Sequence, residues 1–174
     1  MKLIPTSEIA FQPWNCVILG IDAGERWGAY LSEGFSWHAG EGRSIERVVG
    51  CAWKAAMNAR VPLVIVREKW SPYGKWSHTA KMGLAAHWGW WDHELRKLPR
   101  MRPMIKIVQV LPQTWKRAFG LPSRSGAEQY WPIANARAGL EFPTHDVAAA
   151  YLMAEWGSYA PEVGRLPGVR RRQC

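Results

Sequence analysis

The chain has 174 residues, 48% of them hydrophobic and 21% charged, with a formal charge of +9 and a pI near 9.8. That length fits one domain able to bury its own core, and the composition excludes wholesale disorder. No apolar run approaches the roughly 20 residues of a membrane span, and the N-terminal MKLIPTSEIAFQPW lacks the apolar block of a secretory signal.

The excess of positive charge favours a polyanionic partner, nucleic acid before an anionic membrane surface, since no strongly basic amphipathic helix stands out. Three scattered cysteines, Cys16, Cys51 and Cys174, read as reduced thiols of a cytoplasmic protein rather than a disulfide framework or zinc site. Twelve tryptophans are expected to fill the core or a subunit interface, with a few exposed ones able to stack on unpaired bases.

Residues 1–14 read as an extension. The first strand follows in CVILGIDAGERWG, Cys16 to Gly28, where a short apolar run ends in Asp22. Trp27 to Ser32 and Gly34 to Ala39 suggest two more strands in an antiparallel meander. Arg43 to Arg60 has helical spacing, with Ser44 as an N-cap. Pro62 closes it, and Leu63 to Val66 is a second buried strand, parallel to the first, that delivers Glu68 at its C-terminal end, where chemistry gathers in open α/β sheets.

Ser77 to Leu98 predicts a long Trp-rich helix. Its His87 and His93 lie on different sides of a helix and are discounted as a metal pair. Ile105 to Leu111 is a further strand, Pro112 to Gly120 opens a short helix, and Ala127 to Ala138 is helical despite Pro132. Asp146 to Trp156, capped by Thr144 or its neighbours and ended by Gly157 or later, is the last helix. The chain thus divides into an extension (1–14), one α/β domain (15–160) and a basic tail (161–174), loose from Arg165 to Cys174.

Judged alone, Asp22 is a turn residue capping its own backbone, and Glu68 a partner for a nearby arginine. Two acids at the ends of central strands, plus Asp146 opening a helix packed over them, can instead converge. Convergent carboxylates bind hard divalent cations such as Mg2+ or Mn2+. Two such ions about 4 Å apart support phosphodiester hydrolysis.

The landmarks ILGIDAGERWG, LVIVREKW, VQVLPQTWKRAFG and THDVAAAYLMAEWG, in that order, resemble the RuvC-type Holliday junction resolvases of the RNase H-like (retroviral integrase) superfamily, particularly compact phage forms. The resemblance covers residues 16 to 157. It implies an RNase H-like fold, a mixed five-stranded sheet of 3-2-1-4-5 order flanked by helices. It also implies a homodimer in the cytoplasm of a bacterial host that cuts four-way DNA junctions with two Mg2+ ions, leaving 5′-phosphate and 3′-hydroxyl ends. On the same basis Asp22 would bridge both metals, Glu68 would be the second-strand ligand, and Asp146 the first acid of a D-x-x-D pair. Lys116 would touch the phosphate near the scissile bond. Lys106, Arg117 and Arg124 would add DNA contacts, and the loop after Glu68, with Trp70, Tyr73, Lys75 and Trp76, would supply an aromatic wedge. The Trp-rich helix would be the dimer surface.

The departure is at Ala149, which stands where the pattern has its second acid. Three residues after Asp146 it shares that acid's helix face, whereas His145 is rotated about 100° away. Either three carboxylates and a water suffice, or alanine replaces an acid here; the second reading is favoured, making this chain an inactivated form. A decayed junction-binding protein, an RNase H-like nuclease for RNA–DNA hybrids and a basic RNA-binding module are the competing functions.

Overall fold

The computed structural model describes residues 14–23, 26–32, 34–38, 45–69 and 104–171, together with 89, 93, 95 and 97. Five strands form one sheet: β1 (Val17–Asp22), β2 (Gly28–Leu31), β3 (Phe35–His38), β4 (Leu63–Glu68) and β5 (Ile105–Val110). Their order is β3-β2-β1-β4-β5, with β1, β2 and β3 antiparallel and β4 and β5 parallel to β1. The expected mixed sheet and its 3-2-1-4-5 order are therefore observed. Gly34, at φ +94°, makes the turn between β2 and β3, a conformation open to a residue without Cβ.

Alternation along β1 decides which layer each residue joins. Val17, Leu19 and Ile21 face α1 (Ile45–Ala59), packing with Val48, Val49, Ala52 and Ala56. Ile18 faces the other way, toward α4 (His145–Tyr159), with Val64 and Val66 of β4. By the same alternation Asp22 and Glu68 project on the α4 side. Helix α1 closes with Arg60 at φ 55°, where Val61 N–H reaches Ala56 O at 3.0 Å and Arg60 N–H reaches Met57 O at 3.1 Å. That paired closure satisfies the last carbonyls before Pro62 turns the chain into β4. The expected cap Ser44 lies outside the described residues.

Three further helices complete the α4 layer: α2 (Pro112–Ala118), α3 (Ala127–Ala138) and the single turn α5 (Pro161–Gly164). Pro112 sits at the start of α2, where its missing N–H costs nothing. Pro132 lies inside α3, which nonetheless continues to Gly139 in the left-handed region at φ 68°. Thr144 caps α4 as expected, accepting from Val147 N–H at 3.2 Å. The helix runs to Tyr159, within the expected end at Gly157 or later, and Gly157 itself is a contact and not a terminator. A Cβ there would lie 2.8 Å from Val66 Cγ2.

The tail differs from expectation as well. Val163 and Val169 are buried in the α4-side core, Trp14 bridges Arg171, and Asn15 N–H donates to Arg170 O at 2.7 Å. Burial of Val169 and the backbone pairing of Arg170 and Arg171 tie down a stretch, from Arg165 on, whose composition reads as loose. Of the predicted Trp-rich helix, Gly89, His93, Leu95 and Lys97 are helical, and Leu95 packs in the α1-side core; the rest, including His87, lies outside the described residues. No helix among the described residues is long and apolar enough to cross a membrane.

Candidate functional site

Two strand ends and one helix start build the site. Asp22 and Glu68 are the last residues of β1 and β4. They stand one step beyond the parallel pair Ile21–Arg67, on strands spaced about 5 Å apart. Asp22 also pairs with Gly28 of β2, and Gly28 with His38 of β3.

Helix α4 lies directly on this end of the sheet because two glycines let it. A Cβ on Gly20 would be 2.0 Å from the Ala150 carbonyl oxygen, and one on Gly28 would be 2.3 Å from the Asp146 carbonyl carbon. The small residues Ala150 and Ala154, one turn apart and both buried, are the ones that Gly20 meets. Asp146, in the first turn of α4, is thus set against the strand that pairs with Asp22.

The electrostatics report the convergence. Burial raises the Asp22 pKa well above its ordinary value; the charges of Glu68 and Asp146 push it further, and Lys116 opposes them. Glu68 is raised by burial and held back by its hydrogen bond from Trp115 and by Lys116. Asp146 is also raised by burial, against the charges of His145, Arg26 and His38. Burial is the leading cause for all three, and Asp22 alone also carries the push of the other two acids.

Among the described residues Glu68 pairs with no arginine, and its Oε2 accepts from Trp115 Nε1–H at 3.0 Å. Trp115 meets Tyr130 edge-on, with centroids 5.8 Å apart. The Lys116 ammonium lies 5.4 Å from the Trp115 ring and 5.8 Å from the Tyr130 ring. It donates to the Ser125 carbonyl at 2.8 Å. The Tyr130 phenol is raised by burial and then by Asp22, Asp146 and Glu68, so it looks onto the same three acids. His145 Nε2 stands 3.2 Å from Asp146 Oδ1.

The other sequence-predicted residues divide. Ala149 is buried, 3% exposed, one turn beyond Asp146. Arg117 and Arg124 are exposed, on α2 and in the turn after it. Lys106 pairs with Val64 at the start of β5; at 3.3 Å per residue it is about 13 Å from the acid end of the sheet, so the carboxylate cluster does not include it. Trp70, Tyr73, Lys75 and Trp76 lie outside the described residues. Sequence reasoning missed Trp115, Tyr130, Arg26 and His38. Trp115 carried the one usable signal: a tryptophan beside the singled-out Lys116, whose N–H needs an acceptor once buried.

In donor chemistry the site fits a hard divalent cation, since all three acids supply oxygen and burial raises all three, so that a bound positive charge would favour their ionised forms. In geometry it is incomplete. Among the described residues no three His, Cys, Asp or Glu side chains are grouped closely enough to hold a metal ion, and Asp146 is turned toward His145.

No protein-family model and no curated protein matches the sequence. Among solved structures the chain is similar to RuvC from Thermus thermophilus, at 16% identity and a TM-score of 0.55, over 90% of this chain and 99% of that one. With a five-stranded sheet of β3-β2-β1-β4-β5 order flanked by helices, the protein has an RNase H-like fold of the kind seen in RuvC.

Proposed function

We propose that this protein is a metal-dependent endodeoxyribonuclease of RuvC type that resolves four-way DNA junctions, and that the chain lacks one acid of its site, at Ala149. The observation that carries the reading is that Asp22 and Glu68 end adjacent parallel strands of an RNase H-like sheet with Asp146 near enough to act on Asp22, each acid raised by burial and Asp22 by the other two. A net charge of +9 suits a DNA partner.

Asp22, Glu68 and Asp146 would hold Mg2+ or Mn2+, with an acid at position 149 completing the set. When bound, such ions activate a water and stabilise the leaving oxygen in phosphodiester cleavage, giving 5′-phosphate and 3′-hydroxyl ends. Lys116, pinned over Trp115 and Tyr130, supplies fixed positive charge beside the acids. Exposed Arg117 and Arg124 extend it toward a phosphate backbone. A two-fold homodimer would set one site on each of two symmetry-related strands of the junction.

One competing reading has an observation of its own: Ala149, together with the ungrouped acids, also describes a junction-binding protein whose site has decayed. The substrate class is tested by competition on the chain as it is. A labelled four-way junction at fixed salt should be displaced by unlabelled junction at far lower concentration than by linear duplex or RNA–DNA hybrid. Equal displacement by all three contradicts junction recognition, and preferential displacement by the hybrid assigns a different nuclease class.

A further inference from the structure

We propose that Trp115 is a positioning residue of the carboxylate site: its indole N–H fixes Oε2 of Glu68 and leaves Oε1 as the oxygen available to a divalent cation. This rests on the reading of Asp22, Glu68 and Asp146 as metal ligands.

Glu68 reaches the site from the end of a strand on a flexible side chain, and nothing in a β-strand sets its carboxylate plane. Trp115 does so from a different element. It is 1% exposed, sits on α2 directly after β5, and donates to Oε2 at 3.0 Å. The indole is itself immobilised. Tyr130 of α3 packs against it edge-on at 5.8 Å, and Lys116 lies over both rings while bonded to the Ser125 carbonyl. A rigid donor on a buried carboxylate does for an oxygen ligand what second-shell partners do for metal sites generally: it fixes orientation before the ion arrives. An indole donates one hydrogen bond and accepts none, so it takes one oxygen of Glu68 and cannot compete as a ligand.

A purely structural Trp115 would be replaced by phenylalanine at a cost in stability alone. The test therefore reads metal affinity. In the Ala149→Asp protein, Mn2+ binding is measured by calorimetry with and without Trp115→Phe, and with Trp14→Phe as a control for loss of a large ring elsewhere. Trp115→Phe should weaken Mn2+ binding 10- to 100-fold, and Trp14→Phe should leave it within twofold. Equal affinity in the Trp115→Phe protein overturns the positioning role while leaving the metal site standing. Failure of the Ala149→Asp parent to bind Mn2+ overturns the metal-site reading itself, and this role with it. Should Trp115→Phe not fold, the parent decides the matter through the indole 1H–15N resonance of Trp115. That resonance should move saturably as Mg2+ is added, and a resonance that stays put overturns the proposal.

Discussion

Gly28 and Asp146 meet backbone to backbone: a Cβ on Gly28 would lie 2.3 Å from the Asp146 carbonyl carbon and 2.3 Å from Val147 N. Since Gly28 is the strand partner of Asp22, this one contact sets how closely the helix acid approaches the strand acid. Here the glycine matters for its missing side chain and not for its φ. Gly28→Ala forces α4 off the sheet at its N-terminal turn. Overpacking of this kind costs about 1–3 kcal/mol, so thermal unfolding should show a melting temperature lower by several degrees. An unchanged melting temperature would mean that α4 does not lie on β2 as described.

The upward shifts of the three acids carry a pH dependence. A carboxyl that holds its proton more tightly folded than unfolded gives the folded state the larger number of bound protons between its two pKa values, so stability falls as pH rises through that window. The window opens near the ordinary values, 3.8 for Asp22 and Asp146 and 4.5 for Glu68, and ends at the raised folded values. Asp22→Asn keeps the shape of the neutral acid and removes the charge. In metal-free buffer it should melt with the parent near pH 3.5 and a few degrees above it at pH 7, 1 kcal/mol being about 2–4 °C for a domain of this size. A lower melting temperature for the variant at pH 7 would contradict the clustering of the acids.

Helix α3, which carries Tyr130, is fastened to α4 by a buried ion pair. Arg137 Nε donates to both oxygens of Glu155 at 2.9 Å, and Nη2 also donates to Oε1. The side chains are 8% and 9% exposed. Glu155→Gln takes the Glu155 carboxylate away from a buried guanidinium and should cost about 3–5 kcal/mol, whereas Arg137→Met with Glu155→Leu should cost much less. Chemical denaturation of the single and double variants reads the difference. A double variant no more stable than the single one would count against a desolvated pair.

Much of the fold is legible in the sequence because the signals are local and periodic. The apolar runs at Val17 and Leu63 are strands because they are short, β-branched and bounded by turns. Thr144 marks its helix because a hydroxyl there satisfies a free N–H. Asp22 and Glu68 stand out because an acid ends each run. What stays hidden is cross-chain geometry. Gly157 reads as the earliest helix end until Val66 is seen resting on it, and nothing in the sequence sets Lys106 about 13 Å from the acid end of the sheet. The Trp115–Glu68 hydrogen bond joins residues 47 positions apart, and no spacing within either segment announces it. The approach of Arg26 and His38 to Asp146 depends in the same way on the meander folding back beside α4.

The central claim is that a set of metal-binding acids meets here, short of one member at position 149. Ala149→Asp supplies it on the face already occupied by Asp146. The most direct measurement is the rate at which the Ala149→Asp protein cuts a labelled four-way junction in Mg2+, beside the unaltered chain. The rate should rise by about two orders of magnitude or more, since a direct ligand is worth at least the 10- to 100-fold of an outer-shell partner, and EDTA should abolish the gain. Junction cleavage that is absent in both proteins, or equal in both, would contradict the account.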